Sequence, residues 1–330
     1  MEDKKIKLGQ FFTKSSIWLK PQVIEFINSC NCNIAYDPFA GGGDLLKASS
    51  NILSFKNVIG LDIDHSLNWV VNDSLLNIPH INNAIIITNP PYIAKQSASR
   101  KKIDLSKYFS TSTYDDIYLI ALDKMLEAQD YVVAIIPESF INSTYKQKSR
   151  LTQITILEEN PFEDTANPVC VACFDNTEKS FSKIKVYKNE EYINTLAAIQ
   201  DLRIEPTNKI KITFNTLDGW LGLRAIDGAN DKTFIGFDFK ENFKYDWNKH
   251  IKVSSRNLSL VDIDVSEDKR KVFIDKCNEI INELREASSD ILLTPFKCNT
   301  KSGMRRRRLD FRLARAIIEK ALQNIGGIYD

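Results

Sequence analysis

The chain holds few of the residues that mark a stapled or metal-built protein. Six cysteines are spread over 330 residues, too sparse for the disulfide framework that small secreted domains use in place of a large core. Cys170 and Cys173 read as C-x-x-C, but they lie inside the apolar run Val169–Phe174, the pattern of a buried strand rather than of a redox or zinc motif. The three histidines, His65, His80 and His250, are widely separated and lack ligand spacing, so no metal is expected. No apolar run approaches the roughly 18 residues that span a bilayer, and Met1–Lys5 lack the apolar core of a secretory signal. A cytoplasmic protein without membrane contact is expected. The net charge of +1 excludes polyanion binding through bulk charge and leaves it to local patches.

What is present suits a globular chain. The hydrophobic share of 43% and the charged share of 26% are ordinary for one with a substantial core, and the length suits two domains. In the first half, short β-branched runs alternate with amphipathic segments, the rhythm of a mostly parallel sheet covered by helices. Strands are predicted at 33–39, 57–61, 84–88 and 131–136, with a closing pair at 151–157 and 169–174. A helix over 20–27 carries Pro21 in its first turn and an apolar stripe of Val23, Ile24 and Ile27. Another runs over 115–128, with aspartates at its start. Past residue 185 the rhythm fades, which places a catalytic domain at 1–185 and a smaller domain at 186–330.

Three strand ends carry the residues of a ligand site. Ile34–Tyr36 runs into Asp37-Pro38-Phe39-Ala40-Gly41-Gly42-Gly43-Asp44 and then a helix former. This is a glycine turn that lets backbone approach a ligand, and Asp37, Ala40, Gly41 and Gly43 are its candidate contacts. It is not a phosphate loop, because no Lys-Ser/Thr follows; taken alone it could equally be a tight structural turn. About 20 residues on, a second strand ends in Asp62 and Ile63, where an acid in a nucleoside-binding unit reaches a ribose diol. Asp73 and Ser74 follow a third apolar run, and Asp73 is suited to accept from a base amine. Ala84–Thr88 then delivers Asn89-Pro90-Pro91-Tyr92 to the same sheet edge.

Gly9-Gln10-Phe11-Phe12-Thr13, the Asp37–Gly43 loop and Asn89-Pro90-Pro91-Tyr92, in this order, resemble successive motifs of the amino-methyltransferase family of DNA modification enzymes. The resemblance covers roughly residues 8 to 175 and implies a Rossmann-like α/β fold that binds S-adenosylmethionine, with a target recognition domain behind it. It implies that Phe12 and Thr13 close over the methionine end of the cofactor, that Asp62 holds the ribose, that Asp73 contacts the cofactor adenine and that Asn89 borders the cofactor. It further implies methylation of adenine N6 in double-stranded DNA, with a restriction endonuclease as genetic partner.

The chemistry fits those residue types. An aromatic amine is a poor nucleophile, because its lone pair is delocalised into the ring. Two fixed acceptors, the Asn89 side-chain oxygen and the Pro90 carbonyl, can favour a pyramidal nitrogen aimed at the methyl donor. The prolines hold that backbone. Tyr92 offers a stacking face for a flipped base, and the resemblance places a second aromatic at Phe162. No cysteine follows a proline, which disfavours cytosine-C5 chemistry. Cytosine N4, guanine in RNA and glutamine in protein remain open as substrates: cytosine-N4 enzymes share the same electronic logic, usually with Ser at the position of Asn89, and methyltransferases acting on RNA guanine or protein glutamine carry the same tetrapeptide.

Two basic segments are the expected DNA contacts. Met304–Ile317 has helical period, with Arg305, Arg306, Arg307, Arg308 and Arg312 available to phosphates. Lys95, Arg100, Lys101 and Lys102 lie in a polar stretch, 93–114, expected to be mobile and to order over DNA.

Overall fold

The computed structural model describes residues 15–162 and 167–326. Two compact units divide the chain at Ala197/Ala198. The first is built on a nine-stranded sheet in the order β3-β2-β1-β4-β5-β7-β6-β8-β9. Its strands are β1 (Ile34–Asp37), β2 (Asn57–Asp62), β3 (Val70–Val71), β4 (Ala84–Thr88), β5 (Val132–Pro137), β6 (Leu151–Leu157), β7 (Val169–Phe174), β8 (Lys185–Lys188) and β9 (Glu191–Thr195). Strands β1 to β5 pair in parallel, whereas β7 runs antiparallel between β5 and β6. This is a Rossmann-like, mostly parallel α/β sheet closed by an antiparallel strand.

Each central strand is buried because its sequence is apolar on both faces. Every residue of β4 (AIIIT) and β7 (VCVACF) is buried, as a sheet covered by helices requires. The helices include α1 (Pro21–Ser29), α2 (Asp44–Asn51) and α3 (Ile117–Ala128). Helix α1 buries Val23, Phe26 and Ile27, so its core stripe contains Phe26 in place of the expected Ile24. The expected boundary at residue 185 falls too early. Strand β8 pairs in parallel with β6 and antiparallel with β9, which carries the first unit on to Ala197.

The second unit has its own antiparallel sheet, in the order β10-β13-β11-β12. These strands are β10 (Thr213–Phe214), β11 (Leu221–Arg224), β12 (Gly236–Phe239) and β13 (Leu258–Asp262). Helix α4 (Arg270–Ala287) packs on this sheet through a face that includes Phe273, Ile274, Cys277 and Ile281. A two-stranded ribbon, β14 (Thr294–Asn299) with β15 (Arg305–Arg308), precedes helix α5 (Phe311–Asn324). The helix expected over Met304–Ile317 therefore starts only at Phe311. Asp310 is its N-cap, accepting from the Leu313 amide at 2.9 Å, and the arginine run before that cap is extended. Among the described residues no helix is long and apolar enough to cross a membrane.

Candidate functional site

A cleft of roughly 1100 Å³, including its open mouth, lies at the carboxyl ends of β1, β2 and β4. One wall is the turn between β1 and α2, where Gly41 and Gly43 adopt φ of +50° and +78°, a region that side chains rarely enter. Four hydrogen bonds fix this turn. Ala40 N donates to Leu61 O at 2.9 Å, Gly43 N to Ala40 O at 2.7 Å and Gly41 N to Asp62 Oδ2 at 2.8 Å. The Trp69 indole N–H donates to Gly41 O at 2.9 Å. The same indole lies flat against Gly43 and Gly60, where an added Cβ would meet ring atoms at 2.7 and 2.5 Å.

Asp37 ends β1 and is 2% exposed. Its Oδ1 accepts from Phe39 N at 3.0 Å and from the Thr88 hydroxyl at 2.6 Å. Burial pushes its carboxyl up to about 7; the two hydrogen bonds oppose the rise, and the charge of Asp62 adds to it. Asp62 is 3% exposed, and its second oxygen accepts from Asp64 N at 2.9 Å. It borders the cleft and also braces the glycine turn, a duty the sequence did not reveal. Ile63, 45% exposed, forms an apolar ledge beside it. Farther along, Asp73 Oδ2 accepts from Lys107 Nζ at 2.8 Å and from the Tyr108 hydroxyl at 3.0 Å. Ser74 also lines the cleft, and its Oγ accepts from Asn72 Nδ2 at 2.9 Å.

Beyond Thr88, Asn89 and Pro91 enter the cleft wall, while Pro90 is buried behind them. The Tyr92 hydroxyl lies within reach of two acceptors, Asn89 Oδ1 and Ile135 O, the latter at 2.6 Å, and its single proton is donated to one or shared between them. Phe162 is 4% exposed, and its ring centroid lies 6.2 Å from that of Tyr92 with a 59° tilt. This departs from the expected open stacking pair. The two rings pack on each other and on the core, leaving no slot between them for a planar base.

The stretch 93–114 also departs from expectation. It folds into helical turns at Lys95–Arg100 and Ser106–Phe109 over a small core of Ile93, Ala98, Tyr108, Phe109, Ile117 and Ile120. Leu105, Tyr108 and Ile117 face the ligand cleft. Lys95, Arg100, Lys101 and Lys102 remain exposed on this folded segment. In the second unit, Arg305 and Arg307 are 8% and 1% exposed and so are withdrawn from the phosphate contact expected of them. Arg306 and Arg308 are half-buried. Arg312 is exposed and pairs with Glu205 at 2.7 Å. Phe12 and Thr13 lie outside the described residues.

The site thus gathers Asp37, Ala40, Gly41, Asp62, Ile63, Asp73, Ser74 and Asn89 along one cleft, with Gly43 shaping the turn. Sequence reasoning missed Trp69 and Tyr108 altogether, read Thr88 only as a strand end, and counted Lys107 with the basic stretch expected at DNA rather than as the partner of Asp73. A single tryptophan between two acidic strand ends carries no period or spacing that would announce its contact with two glycines.

Comparison with known proteins places the central part of the chain. Residues 51–167 match the Eco57I restriction-modification methylase family. No curated protein matches by sequence. Among solved structures, a Listeria monocytogenes protein described as a class I S-adenosylmethionine-dependent methyltransferase is 13% identical over 50% of this chain and 63% of its own, with a TM-score of 0.38. The methyltransferase subunit of a type I restriction-modification system from Streptococcus thermophilus is 16% identical over 58% and 53%, with a TM-score of 0.36. The M protein of type I restriction enzyme EcoKI is 13% identical over 96% and 70%, with a TM-score of 0.38. The chain spans less than two thirds of the first two.

Proposed function

We propose that the chain transfers a methyl group from S-adenosylmethionine to the N6 amine of a flipped adenine in duplex DNA, as the modification partner of a restriction endonuclease. One observation carries the reading: Asn89 stands in the wall of the same cleft that Gly41, Asp62 and Asp73 line. Those residues suit the cofactor. The glycine turn offers backbone to its amino-acid end, Asp62 lies where a ribose diol is received, Ile63 gives an apolar ledge for a base and Asp73 accepts from an exocyclic amine. Phe12 and Thr13 close the methionine end in this reading.

When bound, the cofactor supplies a methyl group activated by a sulfonium. The chain's own residues aim the nucleophile. The Asn89 side-chain oxygen has two lone pairs, so it can keep the Tyr92 hydroxyl and still accept an amine hydrogen. The Pro90 carbonyl takes the other. The nitrogen's lone pair then turns out of the ring plane, toward the methyl group. Positioning and exclusion of water supply the acceleration, and no strong base is required. Entry of a flipped base requires Tyr92 and Phe162 to part, after which both rings can stack on it. The second unit, from Ala198, reads the DNA, with Arg312 and the lysines of 95–102 on phosphates.

Tritiated cofactor offered together with duplex DNA, RNA and protein tests the reading. Label is expected in DNA as N6-methyladenine. Asn89→Ala should bind cofactor normally and lose at least about 100-fold in transfer. Label confined to RNA or protein, or full activity of the variant, would overturn it.

A further inference from the structure

The arginine run is more informative as a strand than as a helix. Side chains alternate along β15. Arg305 and Arg307 point inward, while Arg306 and Arg308 keep partial exposure. The facing strand β14 contributes exposed Lys297, and the turn contributes exposed Lys301, Ser302, Gly303 and Met304. From Thr294 to Arg308 the chain contains six cations and no acid (Lys297, Lys301 and Arg305–Arg308). With Arg305 and Arg307 buried, Lys297, Lys301, Arg306 and Arg308 are the four that reach the surface, a local cationic strip on a protein whose net charge is +1.

The ribbon is also held in place before any partner arrives. Asp227 Oδ2 accepts from Arg307 N at 3.0 Å, Asp227 N donates to Arg307 O at 3.1 Å, and Arg306 Nε donates to Asp227 O at 2.9 Å. Asp227 is itself gripped by the Arg285 fork at 2.9 and 3.0 Å. Nearer the tip, Asp231 accepts from Ser302 N at 3.1 Å and from its hydroxyl at 2.7 Å. The Arg306 guanidinium lies 4.9 Å over the Phe296 ring across the ribbon, which orders a long side chain that would otherwise lose entropy on binding.

We propose that the β14–β15 ribbon docks in the major groove of duplex DNA, with Lys297, Lys301, Arg306 and Arg308 on phosphates and base edges. The proposal rests on the DNA-substrate reading and assigns its recognition to a particular element. A B-form major groove, about 12 Å wide, admits a two-stranded ribbon, whereas the deep, narrow major groove of A-form RNA does not. That geometry selects DNA over RNA.

The test uses the full chain, with Lys297→Gln/Lys301→Gln as the variant and Lys269→Gln/Lys271→Gln, off the ribbon at the start of α4, as the control. Binding of a fluorescent duplex is followed by anisotropy across a salt series. Both ribbon lysines are exposed, so thermal unfolding and cofactor affinity should not change. The ribbon variant is expected to bind about tenfold or more weakly at low salt, with a slope shallower by about 1 to 2, since each lost phosphate contact removes roughly 0.9. An unchanged slope, an equal loss in the control, or tighter binding of duplex RNA than of duplex DNA by the wild type would overturn the proposal. The two readings fail separately. Ribbon-dependent DNA binding without methyl transfer sinks the methylation reading alone, while adenine methylation with ribbon-independent binding sinks the ribbon alone.

Discussion

The hydroxyl of Thr88, the last residue of β4, donates a 2.6 Å hydrogen bond to Oδ1 of Asp37, the last residue of β1. Thr88 immediately precedes Asn89, and Asp37 opens the glycine turn, so one buried bond joins the loop assigned to the target amine to the loop assigned to the cofactor.

That carboxyl makes stability depend on pH in a defined direction. Burial raises Asp37 from the usual carboxylate range to about 7, so the folded chain holds this proton more tightly than the unfolded one. The group's contribution is fully present below about pH 4 and is lost as pH rises through 7. The unfolding free energy of the wild type relative to Asp37→Asn should therefore fall by a few kcal/mol from pH 4 to pH 8. Denaturant unfolding at each pH measures it, and a flat difference refutes it. A cationic ligand in the cleft should lower the Asp37 pKa and release a proton near pH 7, seen by calorimetry in buffers of differing ionisation enthalpy.

Trp69 holds the glycine turn by one hydrogen bond and by its ring face. Trp69→Phe loses the 2.9 Å bond to Gly41 O, costing about 1 kcal/mol and several-fold in cofactor affinity. Gly60→Ala is expected to destabilise by about 1–3 kcal/mol through overpacking, because its Cβ would lie 2.5 Å from the ring. Thermal unfolding and cofactor titration distinguish the two effects; an unperturbed Gly60→Ala protein would contradict the packing.

Lys107 and Tyr108 share one oxygen of Asp73. Lys107→Met should weaken cofactor binding only a few-fold, and the loss should shrink at high salt, since solvent and salt screen an exposed ion pair. Asp73→Ala removes the acceptor itself and should weaken it about tenfold or more, while also reducing preference for the adenine cofactor over its hypoxanthine analogue. Equal discrimination by wild type and Asp73→Ala would dismiss Asp73 as the base-reading acid.

Tyr92 presents two separable functions, a hydroxyl on Asn89 and Ile135 and a ring beside Phe162. Tyr92→Phe keeps the ring and should lower kcat about tenfold through looser aim of Asn89, with little change in DNA affinity. Tyr92→Ala removes both and should also weaken binding of a duplex carrying a mismatched target adenine, where stacking dominates. Wild-type kinetics of Tyr92→Phe would remove the hydroxyl from the mechanism, and identical kinetics of the two variants would remove the ring.

Local pattern determined much of this protein. Runs such as Ala84–Ile87 and Val169–Phe174 are apolar throughout, the pattern of a short strand buried on both faces, so these strands were legible before any packing was known. The acid or amide after each strand was legible for the same reason, because strand ends on one sheet edge converge. Tertiary structure decided what periodicity does not encode. The arginine run could satisfy a helical period, but pairing with β14 and the Asp310 cap made Arg305–Arg308 a strand and buried two of its cations. Trp69 against Gly43 and Gly60, Thr88 on Asp37, and the folding of 93–114 over the cleft are contacts between segments far apart in the chain. Their energies depend on which surfaces meet, and that is set only when the whole unit packs.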